Sequence, residues 1–145
     1  MNASNKPPRV VLDTNVLVSG LLKSSNCRRI IELLANQAFT VVTSLDLEGE
    51  FDDVIERPHI QRRIDGTTAA RVIVLIRRQG SRVHPVDPVP DAPDPNDARV
   101  LAAVREGQAD VLVTGDRRLL ELRTYANAVV LTPRDFLDWL AHRTR

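Results

Sequence analysis

Apolar residues in this chain fall into two alternating patterns. Short unbroken runs rich in β-branched residues predict buried strands: Arg9-Val10-Val11-Leu12, Phe39-Thr40-Val41-Val42, Val111-Leu112-Val113 and Val129-Val130-Leu131. Between these runs the spacing becomes helical. Val16 to Leu22 and Arg28 to Asn36 read as helices, the second with Ile30, Ile31, Leu33 and Leu34 on its apolar face. Thr43 or Ser44 can cap a helix reaching about Glu56, which Pro58 ends by disfavouring helical geometry at Arg57. Thr67 or Thr68 can cap the next helix, which runs through Arg78 and stops near Gly80. Prolines at 85, 88, 90, 93 and 95 make residues 81–95 a loop, with one short strand near Arg82-Val83-His84. Asp97 to Glu106 reads as a helix closed by Gly107. Asp116 to Leu122 reads as a short helix. Thr132 caps a final helix with Pro133 at its first position. Phe136, Leu137 and Leu140, with Trp139 close by, face either the core or a dimer contact.

Strands that alternate with helices, each strand apolar throughout, predict a parallel sheet covered on both faces. The fold class is therefore α/β, a three-layer α/β/α sandwich with a central parallel sheet of about four to five strands. A length of 145 residues suits one domain over 1–145, with residues 1–8 as a disordered N-terminal tail.

Composition narrows the function classes. Aromatic residues make up only 3%, too few for a platform that stacks single-stranded bases. The net charge of +1 carries no bulk signal for a nucleic-acid partner. Cys27 is the single cysteine, which excludes an intramolecular disulfide and a cysteine-rich zinc site. No apolar stretch approaches the roughly 18 residues that span a bilayer. The polar, proline-bearing start lacks a signal-peptide core. A cytoplasmic location without membrane association is the expectation.

In open parallel α/β folds, ligands gather beyond the carboxyl ends of the strands. Asp13 directly follows the first strand, and Asp116 follows Val111-Leu112-Val113 after Thr114-Gly115. An acid there is partly withdrawn from water and needs a partner. A hard cation such as Mg²⁺ or Mn²⁺, which takes oxygen ligands, is one. The bland reading is that both are helix caps, because Asp is favoured at that position.

Residue patterns add a resemblance. Val11-Leu12-Asp13-Thr14-Asn15-Val16-Leu17-Val18-Ser19 resembles the opening of PIN-domain proteins, a family of nucleases. Leu112-Val113-Thr114-Gly115-Asp116-Arg117-Arg118-Leu119-Leu120 resembles its closing motif. Ser44 through Glu50, and on to Val54, Ile55, Arg57 and Pro58, is similar to a segment where the family places a glutamate. Asp94-Pro95-Asn96-Asp97, followed by Val100-Leu101, is similar to its third acidic segment. The resemblance covers about residues 9–140 and is strongest to the subgroup of toxin components of bacterial toxin–antitoxin systems.

That resemblance implies four metal-binding catalytic acids: Asp13, Glu50, Asp97 and Asp116. Glu50 is set by counting back from Arg57-Pro58. Glu48 stands where a leucine is usual and is the alternative. Residues two apart point about 200° apart on a helix, so only one of the two can face the site. Leu47, Phe51 and Val54 mark the buried stripe, with Glu50 beside it. Asn15 is implied to orient Asp13, Thr114 to support the site, Ser19 to face it, and Asp94 to be a supporting acid or the start of a turn. Taken singly, Glu50 would be a solvated charge and Asp97 a helix cap.

The implied activity is Mg²⁺- or Mn²⁺-dependent hydrolysis of RNA phosphodiester bonds, with one or two ions. Carboxylates and phosphodiester repel each other without a cation, and a bound metal activates water. No nucleophile elbow, phosphate-cradling Gly-rich loop or His–Cys pair competes with it. Arg28, Arg29, Arg117 and Arg118 lie near the acidic motifs in sequence and could contact the scissile strand. Arg57, Arg62, Arg63, Arg71, Arg77, Arg78 and Arg82 form a basic stretch that either holds phosphates or is a solvated face. His59 and His84 lack ligand spacing. The resemblance further implies a cognate antitoxin and a homodimer.

Three other readings compete. A haloacid-dehalogenase-type phosphatase wants an aspartate two residues after Asp13, where Asn15 stands. A binding module that sequesters RNA or a protein does not require all four acids. A structure-selective DNA nuclease needs extra helices for which the chain has little room.

Overall fold

The computed structural model describes residues 6–22 and 24–143. The elements follow one another as β1 (Arg9–Leu12), α1 (Thr14–Leu22), α2 (Ser25–Ala35), β2 (Thr40–Ser44), α3 (Leu45–Ile55), α4 (Pro58–Gln61), α5 (Gly66–Gln79), β3 (Ser81–Val83), α6 (Pro95–Glu106), β4 (Val111–Val113), α7 (Arg117–Leu120), β5 (Thr124–Tyr125), β6 (Ala128–Leu131) and α8 (Pro133–Arg143). The fold is an α/β three-layer sandwich around a sheet of order β3-β2-β1-β4-β6-β5. Every neighbouring pair is parallel except β5 with β6.

Alternation along the strands creates two cores. Val10, Leu12, Val111 and Val113 face one side, with Ile30 and Leu34 of α2, Val72 and Ile76 of α5, and Phe136 and Leu140 of α8. Val11 and Leu112 face the other, with Val100, Leu101 and Val104 of α6 and Leu119 of α7. Apolar residues on both faces are what an internal parallel strand requires. The final helix thus turns Phe136 and Leu140 into the core. Phe39 meets Phe136 edge to face at 5.4 Å. Gly107 closes α6 where the backbone passes so near Val42 that a Cβ would collide with its side chain.

Several local expectations change. The sheet gains β5, joined to β6 by a tight turn at Ala126 and Asn127, both at positive φ. Such turns match the twist of a hairpin. Pro58 opens α4 as well as ending α3, as proline at a first helical position can. The cap of α5 is Asp65, not Thr67 or Thr68. Its Oδ1 accepts from Thr67 N–H at 2.9 Å and its Oδ2 from the Thr68 hydroxyl at 3.2 Å. Residues 1–5 of the expected tail lie outside the described residues. Pro8 is buried and its carbonyl accepts from Thr40 N–H at 2.8 Å. No helix among the described residues is long and apolar enough to cross a membrane.

The topology fixes where chemistry can gather. The chain runs outward from β1 through β2 to β3 on one side, then returns to build β4 and β6 on the other. The reversal falls between β1 and β4, and the crevice at their carboxyl ends is the position at which such sheets bind ligands.

Candidate active site at the carboxyl ends of β1 and β4

Asp13 and Thr114 are the residues immediately after these two strands. Asp13 N–H extends the pairing by donating to Val113 O at 3.0 Å, and Thr114 N–H donates to Leu131 O at 3.0 Å. Both side chains are consequently buried at the crevice. The Thr114 hydroxyl donates to Asp13 Oδ2 at 2.7 Å and accepts from Asp116 N–H at 3.0 Å. One hydroxyl therefore sets the first acid and the backbone that carries the last.

Burial pushes the Asp13 carboxyl above its ordinary range. Thr114 opposes that rise, the Asp116 charge adds to it, and the backbone N–H groups of Thr14 and Asn15 lower it. Asn15 thus acts through its main chain, while its side chain is exposed. Ser19 is half-buried, and its carbonyl accepts from Ser24 N–H.

Asp116 caps α7: its Oδ1 accepts from Arg118 N–H at 2.9 Å. The cap of α6 is Asp94, whose Oδ1 accepts from Asp97 N–H at 3.0 Å. The bland reading of Asp97 as a cap therefore fails, because its neighbour does that work. Asp97 is 5% exposed, and its Oδ2 is buried without a hydrogen-bond partner among the described residues. Burial, together with the charges of Asp116, Asp94 and Asp13, raises Asp97 to about 6. Asp94 also lies 3.6 Å from the Arg118 guanidinium.

Helical phase separates the two glutamates of α3. Glu48 points toward β3 and α5, where Arg82 grips it through two nitrogens at 2.9 and 2.6 Å. The Thr43 hydroxyl and Arg77 add bonds at 3.3 and 3.4 Å. Burial raises Glu48, but Arg82, Thr43 and Arg77 together hold it below the ordinary range. Glu48 is a saturated structural ion pair. Glu50 points the other way. Burial and the Asp13 charge raise it, while a bond from Thr14 and the charges of Arg99 and Arg57 lower it. Its Oε2 is buried without a hydrogen-bond partner among the described residues.

The cations divide in the same way. Arg118 is near the acids, and Arg117 is exposed beside it on α7. Arg28 donates to Leu22 O at 3.3 Å, and Arg29 pairs with Glu32 at 3.1 Å beside α8 residues Leu137 and Leu140. Among the described residues neither bonds to the four acids. Within the basic stretch, Arg77 and Arg82 are committed to Glu48 and Asp52. His59 and His84 are exposed. Two residues that lower the Glu50 carboxyl were not singled out from the sequence, Thr14 and Arg99. The signal for Arg99 was its spacing of three from Asn96, which puts both on one helical face.

Asp13, Asp97 and Asp116 thus feel one another's charge, and Glu50 joins them through Asp13. Among the described residues, no three Asp, Glu, His or Cys side chains come close enough together to form a ready-made metal site. The donors nevertheless fit a hard cation. They are all oxygen, and two of them carry a buried oxygen that nothing else satisfies. Such atoms are costly to leave unpaired, and Mg²⁺ makes up much of its shell with water, so it does not require a tight protein cage.

The family model of the PIN domain matches residues 9–118, a span that holds all four acids. A solved structure, PAE2754 from Pyrobaculum aerophilum, is similar in fold, with a TM-score of 0.61 at 14% identity over 94% of this chain and 90% of that one. No curated protein matches the sequence at a significant level.

Proposed function

We infer the function from membership: this chain belongs to the PIN-domain family, whose members are generally nucleases that use divalent metal ions. We propose that it is a Mg²⁺- or Mn²⁺-dependent endoribonuclease, with Asp13, Glu50, Asp97 and Asp116 as the metal-holding catalytic acids. The observation that carries this reading is the pair of orphaned buried oxygens, Glu50 Oε2 and Asp97 Oδ2, on acids that both feel the charge of Asp13.

A divalent cation bound there supplies charge neutralisation and a more acidic water. The chain supplies the arrangement. Thr114 holds Asp13 in one rotamer and fixes the backbone of Asp116. Asp94 caps α6, so that Asp97 is free to ligate. Arg118 faces the acids from α7 and is suited to a phosphate oxygen of the substrate. A role as the toxin of a toxin–antitoxin pair, with a cognate antitoxin and a homodimer, rests on the sequence resemblance.

The test is cleavage of single-stranded and structured RNA with Mn²⁺, with EDTA, and by Asp116→Asn. Cleavage that chelator and substitution both abolish supports the reading. Cleavage indifferent to both, or none under any condition, rejects it. Growth arrest on expression, relieved by the product of an adjacent gene, tests the toxin role.

A further inference from the structure

A groove opens between α3 and α6 beside Glu50, with Leu45, Gly49, Arg57, Asn96 and Arg99 along it. We propose that this groove seats one nucleotide of the RNA strand next to the scissile bond, with its phosphate on Arg57 and Arg99 and its base against Leu45. The proposal rests on the ribonuclease reading above and names a subsite for it.

Three observations converge. First, the guanidinium groups of Arg57 and Arg99 make no hydrogen bond or ion pair among the described residues, although carboxylates line the same groove. Arg77, Arg82 and Arg118 each have a carboxylate within 4 Å. Both act on Glu50 through their charge but keep their forked donors for a phosphate, and the Asn96 amide adds a donor. Second, Leu45 is 61% exposed at the rim. An apolar side chain next to free cations matches a nucleotide, which has both an anionic and an apolar part, better than a bare anion. Third, Gly49 leaves the floor open, since a Cβ there meets nothing within 4 Å.

Asp46 and Asp53 also line the groove, and both are exposed. They oppose a second phosphate and so limit the groove to a single strand crossing over the arginines. The groove runs directly to Glu50, so a nucleotide seated there continues into the proposed site.

The test is fluorescence anisotropy with a labelled single-stranded RNA of about a dozen nucleotides, in Mg²⁺ buffer. The protein carries Asp116→Asn to suppress cleavage. Arg57→Gln and Arg99→Gln should each weaken binding about tenfold or more, the effect of one or two lost charge-assisted bonds. Each should also flatten the salt dependence by about 0.7 per lost phosphate contact. Arg134→Gln, an exposed change on α8 outside the basic stretch, should alter binding less than about twofold. Leu45→Ser should weaken binding of the RNA but not of its abasic counterpart. Melting temperatures near that of the parent show that the variants fold. Unchanged affinity and salt slope in a protein carrying both Arg57→Gln and Arg99→Gln would overturn the proposal, as would losses matched by Arg134→Gln. Loss of Mn²⁺ affinity with RNA binding intact would also overturn it, by assigning the arginines to Glu50 alone. RNA binding that follows this pattern in a protein that cleaves nothing would support the groove while removing the nuclease reading.

Discussion

Thr114 donates a 2.7 Å hydrogen bond to Asp13 across 101 residues of chain. The bond joins the ends of two adjacent parallel strands and is buried at both partners. Thr114→Val keeps the shape and removes the donor. It leaves a buried carboxylate oxygen and the Asp116 N–H without their partner, which costs about 1–3 kcal/mol. The expected result is a lower melting temperature together with at least about a tenfold loss of RNA cleavage. Thr114→Ser restores both. A variant as stable and active as the parent would show that the bond does not organise the site.

Much of this arrangement is legible in the sequence, because local chemistry decides it. Val10-Val11-Leu12 and Val111-Leu112-Val113 are apolar throughout and go to the middle of the sheet. Ser44 is a cap followed by a helix, and Leu47 N–H indeed donates to its hydroxyl. What escaped depends on contacts between distant segments. The turn at Ala126 and Asn127 has no glycine to announce it. Counting back from Arg57-Pro58 already favours Glu50 over Glu48, but the partners of Glu48, Arg82 on the neighbouring strand and Arg77 on α5, could not be read from the sequence. Asp94 and Asp97 are both plausible caps until the helix start at Pro95 decides between them.

Asp97 gives a pH signature. Its carboxyl is raised from 3.8 to about 6 in the folded protein, so the folded state holds a proton more tightly than the unfolded chain. The associated stability is fully present below about pH 4 and is lost as pH rises through about 6. Metal-free protein should therefore gain stability from this group between pH 7 and 5. Asp97→Asn should flatten that gain and stabilise the metal-free protein at pH 7 by roughly 1–3 kcal/mol, while abolishing cleavage. Thermal melts across this range check the sign. A decrease in stability on Asp97→Asn at pH 7 would contradict it.

The two glutamates of α3 should separate cleanly. Glu48→Gln weakens a buried ion pair whose Arg82 partner is partly exposed, and should cost roughly 1–3 kcal/mol with little change in kcat. Its folded pKa is depressed, so the stability it contributes is present above the unfolded carboxylate range and is lost as pH falls through the folded value. Glu50→Gln should do the reverse, leaving the fold intact and cutting cleavage by about a hundredfold or more. Paired melts and rate measurements decide. Equal activity losses in both variants would place Glu48 in the site.

Titration with Mn²⁺, followed by calorimetry, tests most directly whether the four acids serve one cation. The account predicts saturable binding to the parent protein and at least about a tenfold weakening in each of Asp13→Asn, Glu50→Gln, Asp97→Asn and Asp116→Asn, with Glu48→Gln unchanged. Binding that survives loss of any of the four acids, or that fails in the parent even with RNA present, would contradict it.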